Sequence, residues 1–244
     1  MNGDDIVNAT VQIRYGGEPV GSGFRFLYDD IIITSAHTLS PITENVPITA
    51  SVDQQTEVEL ELVDVSPEPR GGGHDYAVLQ TTDGISPERE VLQPRNEDPS
   101  RGEEVYFAGH PFDTANTLLH TAIVSGPHNH GFYLDGSVNL GNSGGPIVDK
   151  DSGEVVGIVT ESQVYQSQSL EEAINYLNTV QQQLLRIQEV HETTINRVSV
   201  EDLAMDSIQE MQKAIDILTD NVSSGIGVGY SIKPIVDDLS DLDF

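Results

Sequence analysis

GNSGGP, residues 141–146, is the stretch on which the reading of the whole chain turns. A serine bounded by glycines sits in a tight turn, and glycine at 141 and 144 permits backbone angles that a side chain would forbid. In such a turn the N–H groups of Gly141 and Ser143 can point at a position where negative charge develops, which makes them candidate oxyanion-hole donors. Pro146 then lets the chain leave as a new strand. Taken alone, a Gly-Ser-Gly-Gly run also fits a linker or a simple turn.

A serine hydroxyl is a poor nucleophile at neutral pH unless a base takes its proton, so a chemical reading requires a histidine and a group to orient it. TSAH at 34–37 supplies the first: His37 follows the apolar run IIITSA, whose small last residues leave room for a ring at a strand end. HDYAVLQ at 74–80 supplies the second, because Asp75 opens another apolar strand, where its carboxylate can accept a hydrogen bond from an imidazole. Candidate catalytic residues are therefore His37, Asp75 and Ser143.

Outward from these three, residues 5 to about 163 alternate short β-branched runs with Gly, Pro, Asn and Asp turns: IVNATVQIRY, GSGFRFLY, EVELELVDV, EVYFAGH, TAIVSG, GFYLDG, GPIVDK and EVVGIVTE. Many short strands with turn signals point to a barrel or a sandwich. The pattern then changes. Leu170, Ala173, Leu177, Val180, Leu184 and Ile187 repeat at steps of three and four, as do Ala204, Ile208, Met211, Ile215, Leu218 and Val222. This coiled-coil-like spacing predicts two helices, with Ser169 and Glu172 forming a capping box and Ser199 and Asp202 resembling one. GIGVGYSIKPIVDDL returns to strand and then to a short helix, and the acidic end DDLSDLDF reads as a solvated tail. The expected organisation is a β domain of residues 1–163 and 223–244, interrupted by a helical hairpin at 164–222.

The order His, Asp, Ser within TSAH, DYAVL and GNSGGP resembles the chymotrypsin-like serine peptidases, and most of all their HtrA (Deg) branch. GSGFRF, AGHPF at 108–112, TAIVSG at 121–126, DGSVNLGNSGG and GIGVGYSI are similar to that branch as well, over residues 5–163 and 225–240. The resemblance implies a mainly β fold of two six-stranded antiparallel barrels, with the helical hairpin inserted and a short C-terminal helix. It implies a serine endopeptidase acting through an acyl-enzyme, without a cofactor, on protein or peptide substrates. It also places Ser137 at the floor of the primary pocket, with walls at Thr160, Glu161 and Ser162 and at Gly227 to Gly229. An uncharged floor argues against cleavage after Lys or Arg. Asn142 stands where digestive members carry an aspartate that pairs with a freshly cut amino terminus, so that switch is expected to be absent. So is the C-terminal protein-binding domain typical of the branch.

Charge bounds the partners. The chain carries 40 acidic and 11 basic residues, a formal charge of −29, with lysine only at 150, 213 and 233. Such a surface repels nucleic-acid phosphate and anionic lipid. Its self-repulsion is screened in molar salt, where the Debye length is roughly 3 Å, so a salt-rich compartment is expected; a merely acidic protein is the plainer alternative. With no cysteine there is no disulfide. The start MNGDDIVNAT lacks a basic and apolar leader, and no run approaches the roughly 20 apolar residues of a membrane span, so a cytoplasmic location is expected. His110, His120, His128 and His130 lack metal-site spacing and read as polar loop and strand-edge positions, as does His74. A rival reading stays open: a catalytically idle protease-shaped module whose hairpin binds a partner or a second copy.

Overall fold

The β-branched runs close on themselves twice. The computed structural model describes residues 2–40, 46–53, 56–66, 74–82, 84–86, 88–163, 172, 175–183, 194–195, 198–199, 206–211, 213–214 and 225–241. Thr10–Tyr15 (β1), Glu18–Arg25 (β2), Ile31–Thr34 (β3), Ile48–Ser51 (β4), Glu57–Val65 (β5) and Ala77–Thr81 (β6) form a closed antiparallel barrel in the order β1-β2-β3-β6-β5-β4. Glu104–Gly109 (β7), Leu118–His128 (β8), Gly131–Asp135 (β9), Pro146–Asp149 (β10) and Val155–Gln163 (β11) belong to a second. Thr194–Ile195 (β12) and Val198–Ser199 (β13) form a separate two-stranded ladder, and Ile226–Ser231 (β14) completes the second barrel in the order β10-β11-β14-β9-β8-β7. Closure leaves no free edge in either sheet. The fold is mainly β with two six-stranded barrels, as the resemblance implied.

Side-chain alternation explains why IIIT is apolar throughout. Ile32 points into the first barrel with Val11, Ile13, Leu60 and Leu79. Ile31 and Ile33 point the other way, into a cluster shared with Phe24, Phe26, Val78, Val148, Val155 and Ile158 from strands of both barrels. A strand buried on both faces reads as a continuous apolar run. Val105, Phe107, Val124, Phe132, Leu134 and Ile147 fill the second barrel.

Each chain end departs from the sequence reading in part. The run IVNATVQIRY begins not as strand but as the helix Gly3–Ala9, because Asn2 and Asp5 form a reciprocal capping box that satisfies its first N–H groups. Ile6 and Ala9 on that helix join the shared cluster. The expected short C-terminal helix is present as Lys233–Asp241, and it takes in residues 237–241 of the run read as a solvated tail; its Ile235 and Leu239 are each 1% exposed in the same cluster. The Tyr76 hydroxyl donates to Asp238 on it. Asp237 and Asp241 face out while Ile235 and Leu239, four residues apart, face in, so an amphipathic helix lay behind the acidic composition.

Contacts divide the chain into two compact units, Met1–Gln163 with Gly225–Phe244, and Val164–Ser224. Gln163 pairs with Ile226 across β11 and β14, so the second unit leaves and re-enters the barrel at one rung of the ladder. Within that unit residues 175–183 and 206–211 are helical, with Leu177, Val180, Ile208 and Met211 partly covered. Ser169, expected as a helix cap, lies outside the described residues. Ser199, also read as a helix start, pairs with Thr194 in the β12–β13 ladder.

Candidate active site

TSAH ends β3 and opens a short 3-10 helix, Ala36–Leu39, which turns His37 to the barrel rim. Asp75 lies two residues before β6, the neighbour of β3, and is 3% exposed. Its two oxygens hold His37 at two points: Oδ1 accepts the His37 main-chain N–H at 2.9 Å, and Oδ2 lies 2.5 Å from Nδ1. A carboxylate can only accept, so Nδ1 donates in this bond, and in the neutral ring Nε2 keeps its lone pair.

The serine loop is supplied by the other barrel and pinned to the first. The Ser22 N–H on β2 donates to the Ser143 carbonyl at 2.8 Å, and Ser22 Oγ donates to the Gly141 carbonyl at 2.7 Å. The GSG of β2 is required here: a Cβ at Gly21 would lie 2.8 Å from both the Ser143 carbonyl oxygen and the Thr38 side chain. Gly21 therefore lets the serine loop and the histidine helix approach the same point. Gly141 and Gly144 adopt φ of +89° and +85°, as their turn demands.

Within the loop, the Asn142 N–H donates to the Asn139 carbonyl and the Gly145 N–H to the Asn142 carbonyl. Among the described residues the N–H groups of Gly141 and Ser143 have no acceptor. These are the two donors named from the sequence. Asn142 itself is fully buried, and neither atom of its amide has a partner among the described residues.

Ser143 Oγ donates to the Thr160 carbonyl at 3.0 Å, and among the described residues no hydrogen bond joins it to His37. A β-bulge between Val159 and Glu161 takes Thr160 out of the β11–β14 register and leaves its carbonyl facing the serine. Catalytic hydrogen bonds are often long or unmade without substrate, and one turn of a serine χ1 changes the partner.

The pocket residues are only partly brought together. Thr160 is buried, with Oγ1 donating to the Val228 carbonyl at 3.2 Å, and Ser162 pairs with Gly227 while Val159 pairs with Gly229. Ser137, expected at the floor, is exposed. The next residue, Val138, is the buried one, and a Cβ on Gly227 would lie 2.3 Å from its Cγ2. Sequence reasoning passed over Val138, as it did Gly21 and Ser22, because no local signal marks which loop side chain faces inward.

The remaining histidines are more embedded than loop residues. His110 is 5% exposed, with Nδ1 on the Thr114 carbonyl at 2.9 Å and Nε2 at 3.1 Å from the Thr117 hydroxyl. Burial holds it below the usual imidazole range, against the pull of the Thr114 carbonyl. His120 stacks on Phe107 and is lowered by burial. His74 packs edge-on against His130, 4.8 Å between centroids, and is lowered by burial and by that neighbour.

Known proteins share this fold. Residues 21–158, more than half of the sequence, match the trypsin-like peptidase domain family, and the chain belongs to that family. It is 32% identical over 151 residues to a probable periplasmic serine endoprotease DegP-like of Brucella suis, covering 57% of this chain and 27% of that one. Serine protease HTRA1 of Xenopus tropicalis is 33% identical over 153 residues, 57% of this chain and 31% of that one. The chain thus spans less than a third of the length of these curated relatives. Among solved structures, the serine endoprotease from Yersinia pestis superposes with a TM-score of 0.54 at 24% identity, covering 71% of this chain and 63% of that one. The inactive form of Rv3671c from M. tuberculosis gives 0.53 at 22%, covering 68% and 80%. At these identities the likeness is one of fold. No described helix is long and apolar enough to cross a membrane.

Proposed function

We propose that this chain is a serine endopeptidase in which Ser143 attacks the scissile carbonyl, His37 is the general base and Asp75 orients it. The observation that carries the reading is the double grip of Asp75 on His37, which fixes ring and backbone together and presents Nε2 as a base. Ser143 Oγ turns from the Thr160 carbonyl to Nε2, gives up its proton there and bonds to the substrate carbonyl carbon. The carbonyl π electrons move to oxygen, and the oxyanion is met by the N–H groups of Gly141 and Ser143. His37 then returns the proton to the leaving amine as the C–N bond breaks. Water repeats the sequence on the acyl-enzyme, with His37 again as base, and releases the acid.

Val138 over Gly227 makes the primary pocket shallow and uncharged, which suits a small apolar side chain before the cleaved bond. The formal charge of −29 supports operation at high salt.

A fluorophosphonate probe tests the reading in high salt. Stoichiometric labelling on Ser143 that disappears in Ser143→Ala is the expected result. A well-folded protein that takes up no label favours the idle interaction module, for which the bond of Ser143 to Thr160 rather than to His37 is the supporting observation.

A further inference from the structure

The carboxylate that holds His37 sits where the ladder between β5 and β6 comes apart, and one side-chain hydroxyl takes over from the main chain there. Val65 at the end of β5 pairs with Ala77 at the start of β6. At the next rung, Ser66 and Tyr76, a continuing antiparallel ladder would exchange two main-chain bonds. Only one is made: the Ser66 N–H donates to the Tyr76 carbonyl at 3.0 Å. The return bond from the Tyr76 N–H goes to Ser66 Oγ at 3.2 Å, and that hydroxyl donates its own proton to the His74 carbonyl at 2.5 Å.

Asp75 lies between the two groups so held. The His74 carbonyl belongs to the peptide before the Asp75 Cα and the Tyr76 N–H to the peptide after it, so both planes that meet at Asp75 are tied to one oxygen atom. Holding those planes holds φ and ψ of Asp75 and leaves only its side-chain torsions to adjust. Those torsions are set by His37, whose N–H meets Oδ1 at 2.9 Å and whose Nδ1 meets Oδ2 at 2.5 Å. Two such bonds from one carboxylate tolerate little movement of the Cα that carries it. Ser66 is 1% exposed and Asp75 3% exposed, which leaves the hydroxyl to these two backbone partners. Tyr76 has a separate anchor in its ring, whose hydroxyl donates to Asp238 on the helix Lys233–Asp241.

We infer that Ser66 is a positioning residue for Asp75: by holding the His74 carbonyl and the Tyr76 N–H together, its hydroxyl fixes the backbone from which Asp75 reaches His37. This rests on the serine-peptidase reading above. It extends the apparatus to the residue just past β5, which has no hydrogen bond to His37 or Ser143 and acts on them only through Asp75.

The experiment measures turnover of a chromogenic peptide by full-length protein in high salt, for two pairs that differ by a hydroxyl. Wild type is compared with Ser66→Ala, and Ser66→Thr with Ser66→Val, whose near-equal shapes separate the hydroxyl from packing. Ser66→Ala is expected to lose at least about tenfold in kcat with KM changed less than about threefold, since a misplacement of about 1 Å can cost a hundredfold in rate. Ser66→Val is expected to fall below Ser66→Thr by a similar factor. A residue that merely stabilises the fold would cost the same in any background, whereas one that acts through Asp75 would not. Ser66→Ala combined with Asp75→Ala is therefore expected to lose less than about twofold in kcat beyond Asp75→Ala alone. Ser66→Ala within about twofold of wild type overturns the inference, and so does a tenfold loss that recurs in the Asp75→Ala background. If near-UV circular dichroism shows that Ser66→Ala does not fold, the Thr and Val pair carries the test, and equal kcat in the two overturns it. Wild-type protein lacking both turnover and labelling of Ser143 overturns the peptidase reading itself, a result distinct from active wild type that is indifferent to Ser66.

Discussion

The two barrels contribute to the site in different currencies of structure. The first supplies side chains, His37 and Asp75, placed at the ends of adjacent strands and fixed by hydrogen bonds to each other. The second supplies mostly backbone: two N–H groups without an acceptor among the described residues, a bulge carbonyl and glycines at positive φ, with Ser143 as the proposed reacting side chain. Side chains can be carried by any strand end of suitable register, but converging N–H groups exist only if a whole loop keeps one conformation. The second barrel's share is therefore held from outside, by Ser22 of β2 and by the turn at His110.

The contrast predicts a hierarchy of losses. His37→Ala and Ser143→Ala should each remove nearly all turnover, on the order of 10⁶ in kcat, with Asp75→Asn costing roughly 10⁴. Steady-state kinetics on one peptide decides this, and a His37→Ala variant with substantial activity would break the assignment of the first barrel. Gly141→Ala tests the backbone side. Its new methyl must displace the His110 carbonyl, 2.2 Å away, and its φ of +89° is unfavourable, so kcat should fall by about 10²–10³ while fold and melting point change little. A large melting shift instead would mean that the loop supports the barrel and is not merely held by it.

Val138 sharpens the comparison within the second barrel. Val138→Gly should open space over Gly227 and raise kcat/KM for peptides with Leu or Phe before the cleaved bond, relative to Ala, by about tenfold or 1.4 kcal/mol. Profiling with a peptide library reads this out, and an unaltered profile would show that Val138 does not bound the pocket.

Charge and protonation act on both barrels alike and give smaller effects. With a formal charge of −29, the melting temperature should rise steadily between about 0.1 M and several molar KCl as the Debye length shrinks from about 10 Å to about 3 Å or less. A flat midpoint would favour a merely acidic protein. Acidification acts through His74, His110 and His120, all lowered by burial, with His130 adding to the effect at His74 and Asp238 opposing it. The unfolded chain takes up protons at these rings below about pH 6.5, where the folded chain resists them. Stability is thus fully present above about 6.5 and declines as pH falls, by at most about 1.4 kcal/mol per unit for each ring. Guanidinium titrations at pH 7.5 and 5.5, above the carboxylate range, should show the lower midpoint at 5.5; a higher one contradicts the burial argument.

The sequence by itself determined which groups are the candidates for the chemistry. GNSGGP, TSAH and HDYAVLQ are local signals, because a tight glycine turn, a strand end and the residue types for proton transfer are all written in consecutive positions. It also determined the strands, through β-branched runs bounded by turn residues. It misread Ile6–Ala9 as strand and, although it placed the short C-terminal helix, read residues 237–241 as a solvated tail; there capping and one buried helical face outweighed composition. Only the tertiary structure decided what surrounds the serine loop. Ser22 lies 119 residues from the Gly141 it supports, and Gly21 and Val138 matter through neighbours distant in the chain. The orientation of a peptide bond depends on which donor meets its carbonyl, and that donor is chosen by how two closed barrels pack, not by the residues on either side of the bond.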